Sequence, residues 1–187
     1  FNFFQKNYLN IISIARLDDQ KDHFCFLKAI KILKDEIKIK VLFIGNGKLL
    51  KNIKRFIEDE GLKKNVKIIS FKKNPFPYLN KSDLLVLSSK YEGLPNVLLE
   101  ALALKKFIIS SNCPTGPREI LDNGKGGILF KMGNTNDLVK KIIFLLRNRK
   151  ICKKKSNHGY NRLYRFDQKL NLNKYFKLLN RFEIKLK

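Results

Sequence analysis

Residues 84–101 read LLVLSSKYEGLPNVLLEA. The apolar run at 84–88 is typical of a strand that is buried on both faces, as strands of parallel sheets are. A Gly93-Leu94-Pro95 turn follows, and the apolar spacing of residues 95–104 predicts a helix that starts at the proline. A strand that passes through a turn into a helix is the repeating unit of an open α/β sheet.

The same alternation of strands and helices continues along most of the chain. Short β-branched and aromatic runs predict strands at 10–15, 40–45, 66–71, 84–88, 107–111 and 127–130. Amphipathic segments predict helices at 20–34, 48–60, 95–104, 117–121 and 135–149, with a short turn or helix near 75–80. Gly61 is expected to end the second helix, and Asn134 or Thr135 to cap the helix after the last strand. The pattern therefore predicts an α/β fold with a Rossmann-like parallel sheet, helices on both faces, and further C-terminal helices.

The composition fits one globular core with a strong positive charge. The chain has 187 residues, 44% of them hydrophobic, and a formal net charge of +24. Such a charge suits nucleic acid or anionic lipid headgroups. However, the lysines are spread along the chain without an RNA-recognition or helix-turn-helix signature, and abundant Lys, Asn, Ile and Phe are also what an AT-rich coding sequence would produce. We therefore expect no nucleic-acid partner, and a peripheral contact with an anionic membrane as a secondary property.

Cysteine content and hydropathy limit the class of protein and its expected cellular compartment. Cys25, Cys113 and Cys152 are odd in number and far apart, which indicates neither a disulfide framework nor a zinc site. No apolar run approaches the length that spans a bilayer. The chain begins at Phe1 without the features of a signal peptide, so we expect a piece of a longer protein. The expected protein is cytoplasmic, at most peripheral at the inner face of the membrane, and needs no metal or cofactor.

The loops that follow the strands carry the candidate site, because ligands of open parallel sheets bind beyond the carboxyl ends of the strands. These loops are 16–21, 45–47, 71–74, 89–96 and 111–119. The helix that begins near Pro95 offers unpaired N–H groups and a positive dipole end to a phosphate. Glu92 and Glu100 bracket that helix start, and their carboxylates can only accept hydrogen bonds, which suits hydroxyl groups. A ligand with a central diphosphate and sugars at both ends fits this arrangement.

Two other loops have more than one interpretation. Arg16 and Lys21 could both meet a diphosphate, although such a pair arises easily among 40 Lys and Arg residues. Gly45-Asn46-Gly47 suggests a dinucleotide fingerprint, but Leu50 stands where its third glycine would be. This turn either lets a ligand approach the backbone closely or simply joins a strand to a helix. His23 and His158 are expected to be surface or packing residues rather than catalytic bases.

Four segments together resemble the donor-binding half of family 4 retaining glycosyltransferases, which have the GT-B architecture of two facing Rossmann-like domains. They are IARL at 14–17 with Gln20-Lys21, FIGNG at 43–47, SSKYEGLPNVLLEA at 88–101 and CPTGPREI at 113–120. The resemblance covers about residues 10–185 and is most specific at 91–101, where the Glu-x7-Glu signature of the family is intact. Ala15 departs from the usual glycine, and 104–107 lacks the usual glycine and proline. A left-handed helix stop without glycine costs about 1 kcal/mol.

The resemblance implies a role for each matching residue. Arg16 and Lys21 would neutralise the donor diphosphate and stabilise it as it leaves, and Glu92 would lie beside the transferred sugar, which makes these three the predicted catalytic residues. Glu100 would accept hydrogen bonds from the ribose hydroxyls. The backbone of 93–98 would meet sugar and phosphate groups, and Phe71 and Lys72 would hold the nucleobase. The full predicted donor-binding set is Gly45, Gly47, Phe71, Lys72, Gly93, Leu94, Pro95, Asn96, Val97, Leu98 and Glu100.

The resemblance also implies an organisation and a function. Residues 1–9 would be the remnant of an interdomain linker, 10–150 a sugar-nucleotide binding domain and 151–187 a C-terminal helical appendage, with the acceptor site in a missing N-terminal domain. The expected reaction transfers a hexosyl or N-acetylhexosaminyl group from a nucleotide diphosphate sugar to a saccharide or lipid-linked acceptor with retention. The chain alone would be incomplete and inactive. Two alternatives stay open: a non-catalytic sugar-nucleotide-binding subunit that needs a separate N-terminal partner, and a basic nucleic-acid-binding module.

Overall fold

A six-stranded sheet, parallel throughout, forms the centre of the computed structural model, which describes residues 3–181. Its strands are β1 (Leu9–Ile14), β2 (Ile39–Ile44), β3 (Val66–Ile69), β4 (Leu84–Leu87), β5 (Phe107–Ser111) and β6 (Ile128–Phe130). The order across the sheet is β3-β2-β1-β4-β5-β6. The predicted α/β fold with a parallel sheet is confirmed, and each predicted strand lies within three residues of an observed one at both ends.

Helices cover both faces of the sheet. They are α1 (His23–Leu33), α2 (Leu50–Asp59), α3 (Phe76–Lys81), α4 (Asn96–Ala103), α5 (Pro117–Ile120), α6 (Thr135–Arg147), α7 (Arg149–Asn161) and α8 (Gln168–Arg181). Neighbouring strand residues point to opposite faces, so Ile11 packs in the cluster that includes α1, α2 and α6, whereas Ile12 packs with α3, α4 and α5. Both side chains are fully buried. The apolar run in each central strand is explained by this two-sided burial.

Helices α1 and α6 depart from their predicted bounds, each for a local reason. The segment predicted as one helix over 20–34 overlaps a short 3-10 turn at Asp19–Lys21, and α1 begins only at His23. Asp22 between them adopts a left-handed conformation with φ of 43°, and its carboxylate accepts a hydrogen bond from the N–H of Cys25 at 3.4 Å. The helix predicted over 135–149 ends at Arg147 because Asn148, with φ of −129°, leaves the helical region before α7 starts.

The expected helix ends are otherwise confirmed. Gly61 follows α2 with φ of 62°, and the Asn134 side chain accepts a hydrogen bond from the N–H of Asp137 at the start of α6. After α4, Lys105 occupies the left-handed position with φ of 53° that the departure from glycine predicted. The N–H of Lys106 then donates to the carbonyl of Ala101 at 2.9 Å, which closes the helix end.

The C-terminal helices differ in their contact with the sheet. The predicted boundary after residue 150 falls within α7, whose Cys152, Ser156 and Gly159 are buried. In contrast, the described side chains of α8 are exposed, including an apolar stripe of Leu172, Tyr175, Phe176 and Leu179. The division into residues 10–150 and 151–187 stays a prediction. Between residues 3 and 181, no helix has the length and hydropathy required to cross a bilayer.

The strand order reverses between β1 and β4, which are neighbours in the sheet but distant in sequence. The helices after β1 and β4 therefore lie on opposite faces, and the loops that lead into them separate at the carboxyl edge. Such a reversal is the position at which open parallel sheets bind ligands. The loops after β1 and β4 carry Arg16, Lys21, Glu92 and the turn at Gly93–Pro95, so the topology brings the predicted site residues to one edge.

Candidate functional site

Three hydrogen bonds fasten the loop after β1 to the loop after β4. The N–H of Lys90 donates to the carbonyl of Gln20 at 2.8 Å, and the Gln20 side-chain amide donates to the carbonyl of Tyr91 at 2.8 Å. The third bond runs from the hydroxyl of Ser88, at the end of β4, to the carbonyl of Lys21 at 2.8 Å. The two loops are therefore held in a fixed relative position by backbone contacts on both sides.

The centre of the site is an ion pair between Lys21 and Glu92. Lys21 Nζ lies 2.6 Å from Glu92 Oε1, and the two side chains are only 14% and 7% exposed. The hydroxyl of Ser89 donates to the same carboxylate oxygen at 2.5 Å. The structure thus joins two of the three predicted catalytic residues directly, whereas the sequence predicts that Lys21 acts together with Arg16.

Arg16 lies apart from this pair and faces solvent. Its side chain is 71% exposed, with Nε 3.4 Å from Asp18 Oδ2 and Nη2 donating to Gln20 Oε1 at 3.1 Å. Its backbone is nevertheless fixed, because the carbonyl of Arg16 is 2.8 Å from Nε2 of the buried His23. Burial lowers the pKa of His23, and because a carbonyl oxygen can only accept, Nε2 carries the hydrogen and donates it to Arg16. His23 is a packing residue, as expected, and it holds the loop that presents Arg16.

Gly45 and Gly47 support the same loop from the other side. A Cβ atom at Gly45 would lie 1.9 Å from the carbonyl oxygen of Ala15, and one at Gly47 would lie 2.3 Å from that of Leu17. The N–H of Leu17 donates to the carbonyl of Asn46 at 2.8 Å. The sequence had left two interpretations of this turn open, and the structure shows a third: the glycines let the loops after β1 and β2 pack backbone against backbone. Their contact with a donor stays a prediction.

The start of α4 leaves two N–H groups available. Asn96 and Val97 have no hydrogen-bond acceptor for their N–H groups within residues 3–181, and no side chain caps the helix. Leu98 cannot contribute in the predicted way, because its N–H donates to the carbonyl of Pro95 at 2.9 Å and Pro95 itself has no N–H. The anion-binding capacity of this helix start therefore rests on the backbone of residues 96 and 97.

The turn before α4 is braced by the loop after β5. The hydroxyl of Thr115 donates to the carbonyl of Glu92. Gly116 packs beneath the turn so closely that a Cβ atom there would lie 2.2 Å from the carbonyl oxygen of Gly93. Gly93 itself has open space around it, and Leu94 is exposed. The side of the turn that faces away from Gly116 is thus free to meet a ligand.

Glu100 lies one helical turn into α4, half-buried. Burial raises the pKa of its carboxyl group, and no donor from residues 3–181 is hydrogen-bonded to it. A desolvated carboxylate without a partner is destabilising unless a ligand supplies donors. This environment fits the predicted hydrogen bonds to ribose hydroxyls.

The predicted nucleobase segment lies beyond β3. Phe71 is 66% exposed, and its N–H donates to the side chain of Asn46 at 3.3 Å. Lys72 is half-buried. Asn46 therefore links the loops after β2 and β3, but the structure brings neither Phe71 nor Lys72 into contact with the Lys21–Glu92 pair.

An open cavity of about 460 Å³ lies at this edge of the sheet. Its lining includes charged residues that are absent from the predicted site, notably Lys48 and Asp19, which form an exposed ion pair at 2.5 Å. The lining consists of Arg16, Asp18, Asp19, Gln20, Asn46, Gly47, Lys48 and Tyr91. Across residues 3–181, no three His, Cys, Asp or Glu side chains are grouped as a metal site would require.

The fold and the polar cluster at the strand-order reversal place the chain in the class of Rossmann-like α/β domains. The family model described as "Glycosyl transferases group 1" matches residues 2–162, and the chain belongs to this family. The family 4-like resemblance and the expected C-terminal half of a GT-B fold are thereby confirmed.

Individual relatives are longer than this chain. An uncharacterised glycosyltransferase of Methanocaldococcus jannaschii is 38% identical over 125 residues, which are 63% of this chain and 31% of that protein. A Campylobacter jejuni 4-alpha-N-acetylgalactosaminyltransferase, named for a diphospho-undecaprenol-linked acceptor, is 29% identical over 158 residues, or 84% of this chain and 43% of that protein. The chain thus spans less than half the length of these two relatives.

A solved structure shows the same fold. A Staphylococcus aureus TarM variant, in a complex that contains UDP, superposes with a TM-score of 0.84 over 94% of this chain and 36% of that protein, at 24% identity.

Proposed function

We propose that this chain binds a nucleotide diphosphate sugar and supplies the donor-binding half of a retaining glycosyltransferase. The observation that carries the proposal is the 2.6 Å contact between Lys21 and Glu92. It joins a cation from the loop after β1 to a carboxylate in the loop that leads from β4 into the uncapped start of α4. The Lys21 ammonium and the start of α4 suit a diphosphate, whereas the Glu92 carboxylate suits a sugar hydroxyl.

The proposed reaction depends on charge stabilisation of the leaving diphosphate. Negative charge develops on the nucleoside diphosphate as its bond to the sugar breaks. We assign the stabilisation of this charge to Arg16, Lys21 and the N–H groups of residues 96 and 97. Glu92 faces the transferred sugar, and Glu100 accepts hydrogen bonds from the ribose. Retention of configuration is part of the proposal and follows from the family resemblance rather than from a geometric feature of the site.

The acceptor and the rest of the enzyme belong to the proposal as well. The C. jejuni relative is named for a lipid-linked glycan acceptor, which supports transfer of a hexosyl or N-acetylhexosaminyl group to a saccharide or a lipid-linked saccharide. We place donor binding in residues 10–150 and acceptor binding in a facing N-terminal domain. The net charge of +24 supports a peripheral contact with anionic membranes at the cytoplasmic face.

Calorimetric titration of the 187-residue chain tests donor binding. The probes are UDP, ADP and GDP together with UDP-glucose, ADP-glucose and GDP-mannose. We expect one nucleoside diphosphate and its sugar conjugate to bind, and both Arg16→Ala and Glu100→Ala to weaken that binding at least about tenfold, because each removes hydrogen bonds that involve a charged group.

The matched control is Arg55→Ala. Arg55 is exposed and pairs with Asp59 at 3.6 Å, much as Arg16 pairs with Asp18, but it lies on α2. Binding should be unchanged in this variant. If no nucleotide binds the parent chain, or if Arg55→Ala weakens binding as much as Arg16→Ala does, donor binding at this site is refuted. Salt-sensitive binding of unrelated oligonucleotides that is indifferent to Glu100→Ala would instead support the nucleic-acid alternative.

A further inference from the structure

Four serines occupy buried positions at the carboxyl ends of two neighbouring central strands. Ser88 and Ser89 follow β4, and Ser110 and Ser111 end β5; each is at most 1% exposed. Positions in the middle of a parallel sheet are ordinarily aliphatic, because a buried hydroxyl must find a hydrogen-bond partner to offset its lost hydration. The partners of these hydroxyls therefore indicate why the chain has serine there.

Three of the four hydroxyls donate a hydrogen bond to Lys21, to Glu92 or to Ser89. Ser89 donates to Glu92 Oε1 at 2.5 Å, and Ser111 donates to the carbonyl of Ser89 at 2.6 Å. Ser88 donates to the carbonyl of Lys21. Ser110 differs, since its hydroxyl only reaches the carbonyl of the adjacent Ser111 at 3.2 Å.

The hydroxyl of Ser89 helps to fix the orientation of the Glu92 carboxylate. Glu92 Oε1 accepts from both Ser89 and Lys21, so two donors from different loops fix the plane of the carboxylate. Glu92 Oε2 has no donor from residues 3–181. The carboxylate therefore presents one free acceptor atom in a set direction, as recognition of a single hydroxyl group requires.

We propose that Ser89 is a positioning residue that aims Glu92 Oε2 at a hydroxyl group of the donor sugar, and so determines how strongly the site prefers a sugar conjugate to the free nucleoside diphosphate. This inference rests on the proposed donor-binding function. Ser111 supports the role by holding the backbone of Ser89, and Ser88 acts separately on the backbone of Lys21.

The test is the effect of Ser89→Ala on two ligands. The ligands are the nucleoside diphosphate of the panel UDP, ADP and GDP that binds the parent chain, and its conjugate UDP-glucose, ADP-glucose or GDP-mannose. Loss of a hydrogen bond to a charged group is expected to weaken binding of the conjugate about tenfold. Binding of the free diphosphate should change less than about twofold, since Ser89→Ala removes none of the groups assigned to it, namely Arg16, Lys21 and the N–H groups at the start of α4.

Ser110→Ala is the matched control, because it removes an equally buried hydroxyl one strand away that is hydrogen-bonded to none of Lys21, Ser89 and Glu92. It should leave the ratio of the two affinities unchanged. Ser89→Cys, which keeps the shape of the side chain but donates more weakly, should change the ratio in the same direction and by less. It replaces Ser89→Ala in the comparison if thermal unfolding shows that the alanine variant does not fold.

The outcomes separate the two proposals. A parent chain that binds none of the six ligands refutes the proposed function itself. A parent chain that binds, with Ser89→Ala and Ser89→Cys weakening both ligands equally or neither, leaves donor binding intact and refutes the positioning role. A loss confined to the sugar conjugate, absent in Ser110→Ala, supports it.

Discussion

Lys21→Met removes the cation from the centre of the site and should destabilise the fold strongly. In the parent, Lys21 Nζ lies 2.6 Å from Glu92 Oε1, and the two side chains are 14% and 7% exposed. Methionine keeps much of the length and apolar stem of lysine, so the packing changes little. The main effect is that the Glu92 carboxylate stays buried without its counter-charge.

The size of the loss follows from this burial. Removing one partner of a buried ion pair costs about 3–5 kcal/mol. The lower end applies here, because the hydroxyl of Ser89 still donates to Glu92 at 2.5 Å and the lysine side is not completely closed to water. We therefore expect a loss of about 3 kcal/mol in the free energy of unfolding, which corresponds to a decrease of about 6–12 °C in Tm for a chain of this size.

Urea unfolding followed by circular dichroism measures this loss as a shift of the midpoint at constant m. The matched control is Lys48→Met. Lys48 Nζ lies 2.5 Å from Asp19 Oδ2, almost the distance of the Lys21–Glu92 pair, but the two side chains are 70% and 62% exposed. Solvent screens such a pair, so no measurable change is expected.

The double variant Lys21→Met/Glu92→Gln separates charge from packing. Removing the orphaned charge should restore more than half of the stability that Lys21→Met loses, because the penalty arises from the unpaired carboxylate. Equal midpoints for Lys21→Met and Lys48→Met would refute the assignment of a buried pair. A double variant no more stable than Lys21→Met would show that the loss comes from packing.

The remaining predictions concern the carboxyl group of Glu100, the left-handed Lys105 and two glycines. Burial raises the pKa of the Glu100 carboxyl group, so the folded state binds its proton more tightly than the unfolded chain does, and the stability of the parent falls as pH rises through the folded pKa. Glutamine does not titrate. The urea midpoint of Glu100→Gln relative to that of the parent should therefore be higher at neutral pH than at acid pH. Lys105→Gly removes the strain of a non-glycine residue in the left-handed conformation, which should raise the free energy of unfolding by about 1 kcal/mol. It also removes the ammonium group that lies 4.3 Å from the Tyr160 ring centroid. Thermal unfolding should show a larger gain from Lys105→Gly in a Tyr160→Leu background than in the parent, and equal gains would contradict the ring contact. Gly45→Ala places a Cβ atom 1.9 Å from the Ala15 carbonyl oxygen and should lower the free energy of unfolding in urea by about 3 kcal/mol. Gly93→Ala, with open space around the Cβ position, should leave it unchanged.

The fold could be predicted because its signals are local and repeated. Each central strand is apolar on both faces, and helix ends carry glycine or asparagine where the backbone requires them, as at Gly61 and Asn134. The start of α1 was wrong by three residues because the prediction followed the helical pattern back to residue 20 and did not use Asp22, which adopts a left-handed conformation at φ of 43° and caps α1. The break at Asn148 was missed for a related reason, since the apolar periodicity of α6 continues past it into α7.

The site was predicted less completely, because side-chain pairing is not a property of spacing along the chain. Arg16 and Lys21 are five residues apart and were assigned one task, yet one is exposed and the other is sealed against a carboxylate 71 residues further on. The serines at 88, 89 and 111 had a visible signal, namely hydroxyls at the ends of otherwise aliphatic strands, but their partners only follow from the three-dimensional register.

The different environments of Arg16 and Lys21 lead to different roles under the proposed function. Lys21 is already neutralised by Glu92, so a diphosphate that binds it must share the ammonium with this carboxylate, and removing Lys21 alters both folding and binding. Arg16 projects into solvent with only an exposed carboxylate and an amide as partners, so it can turn to an incoming phosphate at little cost to the fold. Arg16→Ala therefore reports ligand binding alone, whereas a change in binding in Lys21→Met can be interpreted only after its effect on stability has been measured.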